Sequence, residues 1–143
     1  MKRGKFLALD YGKKRIGVAT GEADFGMAFP RSVIKNISFE LVIDELKDLC
    51  EELDVGCIVV GLPLNMDHED EENEITKEVK KFTDKLQKAV GEIEVVLFDE
   101  RLSTFEAKEL MRRSAGDGDK KLLGKDAYSA QIILQRFFDK DEN

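Results

Sequence analysis

The stretch Lys5-Phe6-Leu7-Ala8-Leu9-Asp10-Tyr11-Gly12, running on into Arg15-Ile16-Gly17-Val18-Ala19-Thr20, decides the fold of this chain. Four apolar residues in a row, Phe6 to Leu9, are too few for a helix of their own. They end in Asp-Tyr-Gly, so they read as a buried strand closed by a turn. Ile16, Val18 and Thr20 then alternate along a second strand, and the short connection through Gly12-Lys13-Lys14 suits a hairpin. An aspartate at the inner end of a central strand is costly to bury alone: it needs a cation or a proton. The plainer reading is a turn aspartate bonded to the backbone two residues on. Other carboxylates able to meet Asp10 would decide between the two.

Outward from this hairpin, Ala28 to Ile34 reads as a third strand, with Pro30 marking an edge position or a strand start. From Ser38 to Leu53 the residues Phe39, Val42, Ile43, Leu46, Leu49, Cys50 and Leu53 recur at helical spacing, and Asp54-Val55-Gly56 ends that helix. Cys57 to Leu62 lacks polar alternation, as expected of a parallel strand covered on both faces. Leu64-Asn65-Met66-Asp67 opens a loop into an acidic run, residues 67–74, that reads as a solvated loop and a helix start. Glu78 to Val90 reads as a second helix with Val79, Phe82, Leu86 and Val90 inward. Ile93 to Phe98 is a further buried strand leading into Asp99-Glu100-Arg101. Ser103-Thr104-Phe105-Glu106 matches a capping box and starts a third helix. Ser114 to Lys121 reads as a polar loop, and a last helix runs from Asp126 to about Phe138 with Ala127, Ala130, Ile133, Leu134 and Phe137 inward. The order β-β-β-α-β-α-β-α-α predicts an α/β fold, a mixed five-stranded sheet with helices on both faces. It is the chain order of ribonuclease-H-like domains, and residues 1–143 read as one such domain.

Composition narrows the function. With 42% hydrophobic and 37% charged residues the chain has the balance of a soluble globular protein. No signal peptide or membrane-length run is read, and Cys50 and Cys57 read as reduced core thiols, which together predict a cytoplasmic protein without a membrane partner. The single histidine, His68, disfavours histidine acid/base chemistry and His/Cys zinc sites. The net charge of −7 is unevenly spread. Residues 1–35 carry eight Lys/Arg against three Asp/Glu, residues 36–100 six against nineteen, and residues 101–125 seven against four. The two basic segments flank Asp10 and Glu100, as a polyanion held over an acidic centre would require; patchy surface charge is the plainer account.

Three carboxylates could meet. Asp10 ends the first strand, Glu100 ends the fifth, and Asp126 opens the last helix. Parallel strands gather their C-terminal ends at one sheet edge, and the small Ala127 and Ala130 would let the last helix lie close to it. Alternation puts Phe98 and Glu100 on one face and Asp99 on the other. Two carboxylates about 4 Å apart repel by roughly 4 kcal/mol at an effective dielectric of about 20. Such a cluster persists only with shared protons or a hard cation, and an all-oxygen donor set points to Mg²⁺ or Mn²⁺. A pair of these ions suits in-line attack of water on a phosphodiester. Asp126 as a helix-dipole residue, and Asp99 and Glu100 paired with Arg101 on the surface, are the alternatives.

Four segments, Leu9-Asp10-Tyr11-Gly12 with Arg15-Ile16-Gly17-Val18-Ala19, Val60 to Asp67, Asp99 to Thr104, and Asp126-Ala127-Tyr128-Ser129-Ala130 with Ile133-Leu134-Gln135, closely resemble the YqgF (RuvX-like) family. These small ribonuclease-H-fold proteins are described as Holliday junction resolvases and as nucleases maturing the 5′ end of pre-16S ribosomal RNA. The resemblance implies a hydrolase with Asp10, Glu100 and Asp126 as metal-binding carboxylates. It further implies two Mg²⁺ or Mn²⁺ ions and a nucleic-acid partner, either a structured RNA precursor, with ribosomal particles as a further partner, or branched DNA. Asp10 would bridge two metals, with Glu100 and Asp126 holding one each. Lys13, Lys14, Arg15 and Arg101 are the candidate phosphate contacts, with Arg112, Arg113, Lys120 and Lys121 able to widen the groove. Either a monomer or a homodimer is compatible, a resolvase requiring the latter. Two departures stand out: His68 and the acidic run replace the family's Gly-Ser-like turn after Asn-Met-Asp, and Ser129 replaces one of two alanines. Asp10-x-Gly12 with Gly17-Val18 also resembles the phosphate loop of sugar-kinase and actin-like ATPases. Those need a second domain and a second Asp-x-Gly-Gly element, and Asp54-Val55-Gly56-Cys57 reads instead as a helix stop. An RNA-binding ribosome-assembly protein without hydrolysis is the third possibility.

Overall fold

The computed structural model describes residues 4–62, 69–98 and 117–141. The strands are β1 (Lys5–Asp10), β2 (Arg15–Glu22), β3 (Met27–Lys35), β4 (Val55–Gly61) and β5 (Glu94–Phe98); the helices are α1 (Phe39–Leu53), α2 (Glu69–Val90) and α3 (Asp117–Asp141). The sheet order is β3-β2-β1-β4-β5. The β1-β2-β3 meander is antiparallel, whereas β4 lies parallel to both β1 and β5. Pro30 falls on the edge strand β3 beside a register shift, a place where a sheet tolerates proline. Ser32 faces Val18 and Pro30 faces Ala19, so Arg31 is bulged out between them.

Strand alternation divides the core into two layers. Leu7, Leu9, Ile58 and Val60 point to one face and pack with Val42 and Leu46 of α1 and Val79, Phe82 and Leu86 of α2. Phe6, Ala8, Cys57 and Val59 point to the other and pack with Ala130, Ile133, Leu134 and Phe138 of α3. Helices thus cover both faces, as the chain order requires. Cys50 and Cys57 are buried in different layers, and no disulfide joins them. The Ser38 hydroxyl caps α1 by accepting from the Leu41 N–H at 3.2 Å. At its other end Asp54 adopts the left-handed conformation (φ 56°, ψ 51°), and β4 begins directly at Val55. Asp54-Val55-Gly56 is therefore a helix stop, not a phosphate loop.

Several expectations need correction. The second helix starts at Glu69, not Glu78. The acidic run is helical from there on, because carboxylates complement the positive end of a helix. Asp117 to Lys121 is helical where a loop was expected, so α3 carries an extra segment ahead of the piece that begins beside Asp126, where the last helix was expected to open. It is broken at Gly124, whose φ of 72° and ψ of 162° a side chain would strain, and only the part beyond it packs along the sheet. Phe138 rather than Phe137 is the fully buried aromatic there, while Phe137 is partly buried beside it. The expected helix start at Ser103 and the loop at 64–68 lie outside the described residues.

Candidate active site at the sheet edge

Asp10 is the last residue of β1, and its parity with Phe6 and Ala8 sends it to the α3 face. Its neighbours in the sheet are both glycines: Gly17 on β2 and Gly61 on β4. Each glycine makes room for α3. A Cβ on Gly17 would lie 1.8 Å from the Asp126 carbonyl oxygen and 2.9 Å from the Ala127 nitrogen; one on Gly61 would lie 2.4 Å from Ile133 Cδ1. The backbone at Asp126 therefore rests directly on β2 at the position paired with Asp10. The two aspartates, from the ends of remote elements, are brought together as the sequence predicts.

The electrostatics follow from that placement. Burial, reinforced by the negative charge of Asp126, raises the Asp10 carboxyl to about 7; a hydrogen bond with Ser129 and the charge of Lys125 act in the opposite sense. Asp126 has a cation of its own: Arg15 Nε donates to its Oδ2 at 2.9 Å. Arg15 approaches from solvent, its side chain 56% exposed against 21% for the aspartate.

The turn after Asp10 is tied down from two sides. The Tyr11 hydroxyl donates to Glu78 Oε2 of α2, and its ring packs on Phe82 with centroids 5.1 Å apart. Burial, with Glu78 as acceptor, pushes the phenol well above its ordinary pKa, Asn36 working against this. Asn36 donates through Nδ2 to the Gly12 carbonyl at 2.8 Å, and through its backbone N–H to the Lys14 carbonyl at 2.9 Å. Lys13 and Lys14 stand exposed on this turn beside Arg15. Farther along α3, Gln135 accepts from the Ala28 N–H at 3.0 Å and donates to the Gly26 carbonyl at 2.7 Å, anchoring the helix to the start of β3.

Of the predicted carboxylates, Asp10 and Asp126 are thus joined, while Glu100 lies outside the described residues, as do Arg101, Arg112 and Arg113. Lys120 and Lys121 fall in α3 ahead of Gly124. Among the described residues no three His, Cys, Asp or Glu side chains form a metal-binding group. Sequence reasoning missed Gly17, Tyr11, Asn36, Glu78 and the Ser129 hydrogen bond. Gly17 did leave a signal: glycine inside an alternating strand marks close backbone approach. The donor chemistry fits a hard divalent cation, since two carboxylates share the site and burial together with their mutual repulsion drives Asp10 to hold a proton. A cavity of about 500 Å³ lies at the opposite end of the sheet, lined by Phe6, Phe25, Met27, Phe29, Leu53 and Val55, and contributes nothing to this chemistry.

A mixed β3-β2-β1-β4-β5 sheet, with paired acids where β1 meets the C-terminal helix, defines the ribonuclease-H-like class. Comparison bears this out: RuvC of Thermus thermophilus, solved in complex with a Holliday junction substrate, superposes with a TM-score of 0.62 over 97% of this chain and 96% of that one at 11% identity. A further Thermus thermophilus RuvC structure gives 0.56 at 10% identity, covering 96% of both chains. Within this class the chain belongs to the RuvX family, described as Holliday junction resolvase, which matches residues 4–140. A relative in Anaeromyxobacter sp. (strain Fw109-5), named "Putative pre-16S rRNA nuclease", is 39% identical over 94% of this chain and 96% of its own. Another of the same name in Maridesulfovibrio salexigens is 34% identical over 92% and 95%. Among the described residues no helix is long and apolar enough to cross a membrane.

Proposed function

We propose that this chain is a divalent-metal-dependent nuclease acting in 5′-end maturation of pre-16S rRNA. The observation that supports this most is the joining of Asp10 and Asp126 on a ribonuclease-H-like sheet edge, with Asp10 raised to about 7 by burial and by its neighbour. The names of the relatives supply the substrate. Asp10 and Asp126 would hold Mg²⁺ or Mn²⁺, with Glu100 as the third carboxylate of the set. When bound, the ions supply Lewis-acid activation of water and neutralise charge at the phosphate. The chain's own contribution is positional. Gly17 and Gly61 seat α3, the Tyr11–Glu78 and Asn36–Gly12 bonds fix the turn, and Asp10 would have to be ionised to ligate the cation. Lys13, Lys14 and Arg101 would contact substrate phosphates.

The test is Mn²⁺-dependent cleavage by the wild type and Asp10→Asn of a 5′-extended small-subunit RNA precursor and a four-way DNA junction, side by side. Cleavage of the RNA alone, lost in the variant, is expected. Cleavage of the junction alone would establish the resolvase that the family description states. Binding without cleavage of either would make the chain a non-catalytic assembly protein.

A further inference from the structure

Arg15 occupies an unusual position, because it ion-pairs with Asp126, one of the carboxylates that the proposed metal would need. We infer that Arg15 is an exchangeable cation of the site: it holds Asp126 in the metal-free protein and passes to a substrate phosphate when metal enters, so that metal and nucleic acid bind cooperatively. The inference rests on the metal-dependent reading above and goes beyond it, since neither that reading nor the family description gives the arginine two successive partners.

The geometry supports exchange rather than a fixed strut. The bond runs from Nε to Asp126 Oδ2 at 2.9 Å and uses one of the guanidinium's five donors. The arginine side chain is more than half exposed, so it is free to move, and an exposed pair of this kind is weakly held. Asp126 is mostly covered and electrostatically coupled to Asp10, so its pairing state bears on the whole site. A divalent ion on the carboxylates concentrates more charge than a guanidinium and would repel it. Released, Arg15 sits at the start of β2 directly after the exposed Lys13 and Lys14, where a phosphate offers the planar two-oxygen face that arginine prefers. By linkage, whatever factor metal adds to nucleic-acid affinity, nucleic acid adds to metal affinity.

The experiment measures Mn²⁺ binding to the full chain without nucleic acid, by calorimetry, for wild type, Arg15→Gln, Arg15→Lys and Asp10→Asn. Anisotropy of a labelled RNA hairpin with EDTA or Ca²⁺ then reports nucleic-acid affinity. Arg15→Gln should bind Mn²⁺ about five-fold or more tighter than wild type, on the scale of typical coupling between sites. It should also lose most of the metal-induced gain in hairpin affinity. Arg15→Lys, keeping the charge, should return Mn²⁺ affinity toward wild type, which separates competition from misfolding. If Mn²⁺ binds in an Asp10-dependent way but Arg15→Gln binds it equally or more weakly, the exchange is wrong and the nuclease reading stands. If wild type binds no Mn²⁺, or Asp10→Asn binds it undiminished, the metal reading fails and the exchange falls with it.

Discussion

On the metal-dependent reading proposed above, Asp10 carries opposite demands with and without a bound cation, and pH separates them. Its carboxyl is raised from 3.8 to about 7 in the folded chain. A raised folded pKa means that the native state binds the extra proton, so Asp10 contributes stability below about pH 4 that is lost as pH rises to about 7. In EDTA, Asp10→Asn should therefore gain stability over wild type across that window, by up to roughly 4 kcal/mol at about 1.4 kcal/mol per pKa unit. Thermal melts of both proteins from pH 4 to 8 check this, and a constant difference would refute it. In the same window wild type should bind Mn²⁺ more tightly as pH rises, because the proton and the cation compete for one carboxylate. Tyr11 belongs to this scale too. Tyr11→Phe removes the donor to Glu78 and should cost about 1–3 kcal/mol in a urea melt, as an acceptor loses its partner.

Helix α3 is held by contacts that leave no room for even a methyl group. Gly17→Ala would place a Cβ 1.8 Å from the Asp126 carbonyl oxygen, so the helix start must lift off β2. We expect loss of at least about 3 kcal/mol, on the scale of a severe clash or strain, and loss of Mn²⁺ binding before loss of the sheet. Ser38→Ala, at the N-terminus of α1, should cost about 1 kcal/mol in a urea melt through the lost cap. The strands were legible in the sequence because β1 and β4 are buried on both faces and β2 alternates. Asp10 and Asp126 were legible because chemistry gathers at element ends. The start of α2 was not, since an acidic run reads equally as a solvated loop and as a dipole-stabilised first turn. Nor were the break at Gly124 and the identity of the segment that seats on Gly17: the glycine signals a close approach, but which distant residues make it follows no local period. The Tyr11–Glu78 and Arg15–Asp126 bonds join residues 67 and 111 positions apart, which no motif spacing records.

Across the whole molecule the two ends of the sheet differ in character. The Asp10 end carries Lys13, Lys14 and Arg15, whereas the opposite end exposes Phe25, Met27 and Phe29 around its apolar cavity. Under the proposed function, this local basic rim is where an acidic protein would meet a polyanion. Replacing Lys13 or Lys14 by Gln should each lower the slope of log affinity against log salt by about 0.7–0.9; equal slopes would place the nucleic acid elsewhere. The joining of the site across the chain has a consequence for its birth. At roughly 5–20 residues per second, a ribosome adds Asp126 on the order of ten seconds after Arg15, 111 positions earlier. Until then the nascent chain shows Asp10 and its lysines without the second acid, and a prematurely terminated copy never acquires it. On the proposed reading, a copy that stops short of its last helix would lack the carboxylate that completes the site, and activity would wait for the finished chain.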